Sequence, residues 1–248
     1  MYDFGDKYAV VTGAGKGIGK AIAARFVKEG VKGLALLDYD EELVKNTAAE
    51  LDPSGETVLA LKCNVADYEN VQQVFKALEE TWGRIDILVN NAGITRDKMF
   101  HKMSYDQMHD VMNVNFFGVY NCCAAVINGM RERNYGKIVS LSSTSAFGNV
   151  GQTNYAASKG AINGFTRALA KESARKNITV NAILPGGVDT EMMRAVPEEK
   201  QRANLAAHPM GRYGSVDEIA NLIMFLSSDE SSYVSGECII TSGAWIIH

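Results

Sequence analysis

The sequence predicts an α/β fold in which a parallel sheet is covered by helices on both faces. Three observations point there. Short, near-continuous apolar runs alternate along the chain with segments whose apolar residues recur at helical spacing. The strand-like runs lack the polar alternation of a sheet with one wet face, so both faces must be buried. The first run, Tyr8–Thr12, opens straight into a glycine cluster and then a helix-like segment.

The elements follow in order. After the strand Tyr8–Thr12, Gly17–Glu29 carries apolar residues at helical spacing, and Leu34–Leu37 reads as a buried strand. Glu41–Leu51 is a helix stopped by the turn Asp52-Pro53-Ser54-Gly55. Val58–Cys63 is the third strand, Tyr68–Trp82 an amphipathic helix and Ile85–Val89 the fourth strand. One long helix is expected over Ser104–Arg133, then a strand at Lys137–Leu141 and the helix that carries Tyr155. Ile178–Ile183 is a strand, Ser215–Ser227 a helix with Ser215 as its N-cap, and Glu237–Thr241 the last strand. With no repeat, low-complexity stretch or linker, the expectation is one domain over residues 1–248.

Bulk properties exclude several function classes. The chain has 248 residues, 46% hydrophobic and 22% charged, with a net charge of −4, so its overall charge does not favour nucleic acid. Cys63, Cys122, Cys123 and Cys238 form no Cys-x-x-Cys pair, and His101, His109, His208 and His248 show no ligand spacing. Neither a disulfide framework nor a metal site is expected, and a reducing compartment fits. The N-terminus lacks a basic start followed by an apolar stretch, and no apolar run approaches the ~20 residues that span a bilayer. A cytoplasmic protein without a membrane partner is the expectation.

Two groups of residues carry chemistry. The first is Thr12-Gly13-Ala14-Gly15-Lys16-Gly17-Ile18-Gly19, between the first strand and the first helix. Glycines let the backbone approach a ligand, and a helix start offers free N–H groups to a pyrophosphate. A tight strand–helix turn would use the same glycines. Asp38 ends the second strand, where a carboxylate accepts hydrogen bonds from the adenosine ribose of NAD and repels the 2′-phosphate of NADP. Tyr39, rather than an arginine, follows it, which also favours NAD; Lys16 weighs towards NADP, and Asp38 as a plain turn residue is the alternative. Asn64-Val65 and Asn90-Asn91-Ala92-Gly93 follow the third and fourth strands, where ligands of open α/β sheets bind. Asn64 could meet the adenine edge and Asn90 could brace its strand; either could instead cap a turn.

The second group is Tyr155 and Lys159, four residues apart on one helix face, with Ser142 thirteen residues before the tyrosine. A lysine beside a phenol is expected to lower its pKa from the free value near ~10 and make it an acid/base group. An aromatic and a solvated lysine one turn apart would look the same in isolation.

Taken jointly, Thr12–Gly19, Asn90–Gly93, Asn115, Ser142, Tyr155-x3-Lys159 and Pro185-Gly186-Gly187-Val188-Asp189-Thr190 resemble the short-chain dehydrogenase/reductase family over essentially the whole chain. The branch of 3-oxoacyl-acyl-carrier-protein reductases and carbonyl reductases is the most similar. It is suggested by Asn91–Asp97, Gly151–Tyr155 and Met210–Gly214. The resemblance implies a doubly wound, Rossmann-like sheet, a nicotinamide cofactor and, in many members, a homotetramer. It implies Tyr155 as proton donor or acceptor and Ser142 as the hydrogen-bond donor to the substrate oxygen. Lys159 would bind the nicotinamide ribose, and Asn115 would hold a water that passes protons through Lys159. Val188 and Thr190 would seat the carboxamide beside Pro185 and Gly186. The serine is ambiguous by one position: counting back from Tyr155 selects Ser142, whereas counting forward from Gly136 selects Ser143. The count tied to the tyrosine is preferred.

The expected reaction is hydride transfer between NAD(H) and a ketone or secondary alcohol. Residues 189–212, with Met192, Met193, Val196 and Pro197, are expected to form a small substrate lid together with Phe147, Asn149 and Val150. Packing of that segment against a helix is the alternative. No carboxylate-binding arginine stands out there, so an apolar ketone or alcohol is expected over a hydroxy acid. An NADPH-dependent 3-oxoacyl-acyl-carrier-protein reductase acting on an acyl thioester is the enzymatic alternative, with Arg131, Arg133, Arg175 and Lys176 as a patch for an acidic carrier. A non-catalytic nucleotide sensor would not need Tyr155 and Lys159.

Overall fold

In the computed structural model of the chain, residues 2–194, 205–206 and 208–246 are described. The strands are β1 (Tyr8–Thr12), β2 (Gly33–Asp38), β3 (Val58–Lys62), β4 (Ile87–Asn90), β5 (Gly136–Leu141), β6 (Ile178–Pro185) and β7 (Cys238–Thr241). They form one parallel sheet in the order β3-β2-β1-β4-β5-β6-β7. The winding reverses between β1 and β4, which pair through Val10 and Leu88. A doubly wound sheet opens a crevice beyond the carboxyl ends of the strands at that reversal.

Side chains alternate across each strand, and this builds two cores. Ala9 and Val11 of β1 and Leu34 and Leu36 of β2 pack beneath α1 (Gly17–Lys28), α2 (Glu41–Leu51) and α8 (Val216–Ser227). Val10, Ala35 and Leu37 point the other way, to α3 (Tyr68–Trp82), α5 (Gly118–Arg133) and α6 (Thr153–Ser173). Both faces are dry, as the near-continuous apolar strands predict. Ser215 caps α8 as expected: its hydroxyl accepts from Glu218 N–H at 3.1 Å, and Glu218 closes a capping box.

The expected long helix at Ser104–Arg133 is not uniform. Helix α4 (Tyr105–Met112) passes through a π-turn, Asn113–Phe117, into α5. The wide turn closes with Gly118 N–H bonded to Asn113 C=O and inserts one residue into the helical phase. It turns Asn115, fully buried, inward between the faces set by Val111 and Val119. This 29-residue span is long and apolar enough to cross a membrane by length and composition, with a mean hydropathy of 1.2 over its most apolar stretch. Its residues Cys122, Val126 and Met130 are nevertheless fully buried in the core beneath the sheet, as in a core helix. A short helix, α7 (Glu191–Arg194), follows β6.

Candidate active site

The glycine loop leaves β1 with Gly13 and Gly17 at φ of 62° and 57°, conformations that favour glycine. A Cβ on Gly13 would lie 2.8 Å from the Cα of Ala92, so the loop runs against the segment that leaves β4. Helix α1 then starts without a side-chain cap, Lys16 being extended. Its first amides are therefore available to an anion. At Gly17 a Cβ would meet nothing within 4 Å, so this edge of the loop opens on the crevice.

Asn91 fastens the loop. Its Nδ2 donates to the carbonyls of Thr12 at 3.0 Å and Gly13 at 2.8 Å, and its backbone N–H donates to Thr12 Oγ1. Asn91→Ala removes two side-chain hydrogen bonds from part-buried carbonyls and is expected to cost roughly 1–3 kcal/mol of stability. Urea denaturation without nucleotide checks this; an unchanged midpoint would leave the loop held by its backbone alone.

Asp38 sits at the end of β2 with Oδ2 accepting from Gly15 N–H at 2.9 Å and Oδ1 from Asp40 N–H at 3.1 Å. Lys16 points to Glu191, 4.0 Å away at the start of α7. Asn64 makes an Asx turn, its Oδ1 accepting from Ala66 N–H at 3.2 Å. Asn90 braces the sheet: its Nδ2 donates to Ser140 Oγ at 3.2 Å across the β4–β5 pair.

The catalytic cluster stands on β5 and α6. Lys159 is almost fully buried, and its Nζ donates to Leu141 C=O at 2.6 Å. The same Nζ lies 5.4 Å from the centroid of the Tyr155 ring. Asn115 Oδ1 accepts from Ile94 N–H at 2.8 Å, and its Nδ2 donates to Ile94 C=O and Ser158 Oγ, each at 3.1 Å. Ser158 Oγ donates to Tyr155 C=O in turn. Asn115 thus joins the loop after β4 to the helix that carries the tyrosine, and its amide is saturated by protein partners.

Two expectations change here. The first concerns the serine. Ser142 is buried with its Oγ donating to Lys159 C=O at 3.0 Å, a bond that ties β5 to α6. The Tyr155 phenol hydrogen-bonds the side chain of Ser143. Ser143 Oγ also accepts from Ser145 N–H at 3.1 Å, which fixes its direction. The strand, not the tyrosine, is the better ruler: β5 is locked by pairing of Leu141 with Ile183, and the loop absorbs the length difference.

The second concerns charge. The lysine does not lower the phenol. Burial pushes Tyr155 up to about 12, against the opposing hydrogen bond from Ser143, and the Asp97 carboxylate adds to the rise. Burial also pushes Lys159 down to about 8, so the cation is itself disfavoured and its hydrogen bond is directed to Leu141. Between pH 8 and the free-lysine value of 10.5, the unfolded chain holds a proton that the folded chain releases. Stability should therefore rise with pH across that window by about 3 kcal/mol relative to Lys159→Met. Urea midpoints of both proteins from pH 7 to 11 measure the difference; a flat difference curve would refute a depressed lysine.

These groups line one crevice of about 1070 Å³. Most residues named from the sequence line it: Gly13, Lys16, Gly17, Ile18, Asp38, Asn64, Val65, Asn91, Ala92, Gly93, Ser142, Tyr155, Lys159, Pro185, Gly186, Val188 and Thr190. Gly15, Gly19 and Asn115 stand behind it. Gly15 packs on Asp38 and Leu43, and a Cβ on Gly19 would lie 2.6 Å from Asn91 Nδ2. Thr190 Oγ1 accepts from Met193 N–H at 3.3 Å, opening α7. Of the expected lid, Val196 and Pro197 lie outside the described residues, while Met193 lines the crevice. Arg131 and Arg133 of the expected basic patch are bonded to the carbonyls of Glu172 and Ile85. Sequence reasoning missed Arg96, His208, Tyr213 and Trp245, which also line the crevice. No motif marks them, because the fold gathers them from distant segments.

The cradle fits a dinucleotide: glycines free of obstruction at Gly17, an uncapped helix start, and a carboxylate at the end of β2. With a tyrosine and a buried lysine in the same crevice, this is the arrangement of a nicotinamide-dependent oxidoreductase. A family model described as "Enoyl-(Acyl carrier protein) reductase" matches residues 13–243. An acetoacetyl-CoA reductase of Shinella zoogloeoides is 42% identical over 239 residues, 96% of this chain and 97% of that protein. A 3-oxoacyl-[acyl-carrier-protein] reductase of Thermotoga maritima is 41% identical over 242 residues, 97% and 98% of the two chains. One from Vibrio harveyi is 39% identical over 238 residues, 96% of each. The chain belongs to the short-chain dehydrogenase/reductase family and is an oxidoreductase of keto and hydroxyl groups that uses a nicotinamide cofactor.

Proposed function

We propose that the protein interconverts an apolar ketone and its secondary alcohol with NAD(H), Tyr155 carrying the proton and Ser143 holding the substrate oxygen. The single observation that carries this reading is the hydrogen-bonded Ser143–Tyr155 pair facing the crevice with buried Lys159 beside it. A bound nicotinamide supplies or accepts the hydride; the chain's own groups orient the carbonyl and move the proton. A phenol near 12 is neutral at working pH and can donate to an oxygen that gains negative charge. Ser143, whose Oγ already accepts from Ser145 N–H, has its own proton to give to that oxygen. Lys159 holds Tyr155 on one side and accepts protons from solvent on the other, and Asn115 positions the helix that bears both. Asp38, the glycine loop, Asn64 and Val65 hold the adenosine and pyrophosphate; Pro185, Gly186, Val188 and Thr190 border the nicotinamide end. The proposal includes one catalytic domain with residues 189–212 as its lid.

NAD is preferred because Asp38 would stand against a 2′-phosphate while Lys16 is turned to Glu191. Two like charges about 4 Å apart near a surface repel by up to ~4 kcal/mol before solvent screening, so Asp38→Ala should narrow the NAD/NADP ratio of kcat/KM about ten- to a hundredfold. An unchanged ratio removes Asp38 from cofactor choice. A second reading, reduction of a 3-oxoacyl thioester, is favoured by the relatives named for that reaction. A spectrophotometric screen of ketones, secondary alcohols and acetoacetyl thioesters with both cofactors tests the two. A homotetramer belongs to the same proposal, since exposed Phe117 and Tyr120 give α5 an apolar face that an assembly would cover. Four free thiols suit a reducing compartment, the cytoplasm.

A further inference from the structure

Beyond the reacting groups, the crevice has a wall made of three aromatic side chains from separate segments. His208 stacks on Trp245, ring centroids 4.4 Å apart at 23°, and meets Tyr213 edge-on at 5.3 Å and 85°. All three line the same crevice as Ser143 and Tyr155. His208 is the buried middle of the stack, 6% exposed, whereas Trp245 keeps 39% of its surface open.

The wall abuts the backbone that leaves β6. A Cβ on Gly186 would lie 3.4 Å from Trp245 Cε3, and one on Gly187 would lie 2.5 Å from Tyr213 Cδ1 and 2.9 Å from His208 Nε2. Thr144, one residue beyond Ser143, donates from Oγ1 to Pro185 C=O at 3.2 Å, so the serine loop borders the same strand end. The opposite rim is polar but committed. Gln152 Oε1 accepts from Ser145 Oγ and Asn149 Nδ2, and Gln152 Nε2 donates to Asp97. Arg96 donates to Thr95 C=O. The apolar surface offered to a substrate near the reacting hydroxyls is therefore the aromatic side, and its accessible part is the indole.

Granted the ketone–alcohol reaction proposed above, we propose that Trp245, held by its stack on His208 with Tyr213 behind, packs against the substrate's substituent and is a specificity-determining residue. The class it fits is a ketone or secondary alcohol with a flat, apolar group next to the reacting carbon, preferred over one bearing only methyl groups. An indole face buries a planar group at little conformational cost, and aromatic pairs gain beyond area alone.

The test uses two probes, 1-phenylethanol and 2-propanol, each with NAD⁺. Trp245→Ala should raise the KM for 1-phenylethanol about tenfold and leave that for 2-propanol within about threefold. Trp245→Phe should keep most of the preference. The Kd for NAD⁺ should not move in either variant. A KM that rises equally for both alcohols overturns the proposal. So does a Kd for NAD⁺ that rises in step, which would make the wall a brace for Gly186–Gly187. A binding measurement separates this from the reaction itself. The chain has two tryptophans, Trp82 and Trp245, and Trp82 stacks on Tyr8 in another part of the fold. In Trp82→Phe/Tyr155→Phe, which cannot turn the alcohol over, 1-phenylethanol should change the Trp245 emission saturably when NAD⁺ is present. No saturable change overturns the proposal. Failure of the wild-type protein to oxidise any alcohol would instead overturn the reaction while this titration still reports on Trp245.

Discussion

Tyr155→Phe is expected to lower kcat by roughly 10²–10⁴-fold while leaving the Kd for NAD(H) within about twofold. The substitution removes one oxygen and keeps the ring that packs beside Lys159. A phenol pushed up to about 12 is protonated throughout the neutral range, so what is lost is a proton donor and not a charge. Steady-state rates with a ketone and NADH, beside a fluorescence titration of the dinucleotide, separate chemistry from binding. Retention of a tenth or more of wild-type turnover would mean that another group moves the proton. Lost turnover together with lost dinucleotide affinity would point to collapse of the site.

Ser143→Ala should cost about 10²–10³-fold in kcat, the range for removing one donor to a developing oxyanion. Ser142→Ala should behave differently. Its hydroxyl serves the Lys159 carbonyl, so its loss should cost about 0.5–1.5 kcal/mol of stability and leave turnover within about fivefold. The two serines are adjacent, which makes the pair a sharp comparison: rates and urea midpoints measured on both variants should show opposite patterns. The reverse ranking would restore the serine chosen by counting back from the tyrosine.

Much of this was legible in the sequence, for identifiable reasons. Strand runs such as Leu34–Leu37 are buried on both faces, and continuous apolarity records that directly. The glycine loop, Asp38 and the Tyr155–Lys159 spacing sit at strand and helix ends, where local geometry dictates residue type. What escaped depends on long-range geometry. The Ser142–Ser143 choice turns on strand register against β6, which a count along the chain does not contain. The shift of Tyr155 depends on burial and on where the Lys159 proton points, and both are set by the carbonyl of Leu141. The π-turn was invisible because Val111, Val119 and Val126 fit one continuous helix well enough. The wall of His208, Tyr213 and Trp245 has no motif because its members meet only after folding.

The wide turn at Asn113–Phe117 also restricts how this chain can change. Excising any one of those five residues would wind the segment back into ordinary helix and swing everything downstream by about 100°. Cys122, Cys123 and Met130 would then face away from the strands they cover, and Asn115 would lose Ile94 and Ser158. A single deletion there should therefore fail as a folding lesion before it could be scored as a catalytic one. The surplus residue is an irreversible commitment: the asparagine cannot be retired from its post without dismantling the helix that hosts it.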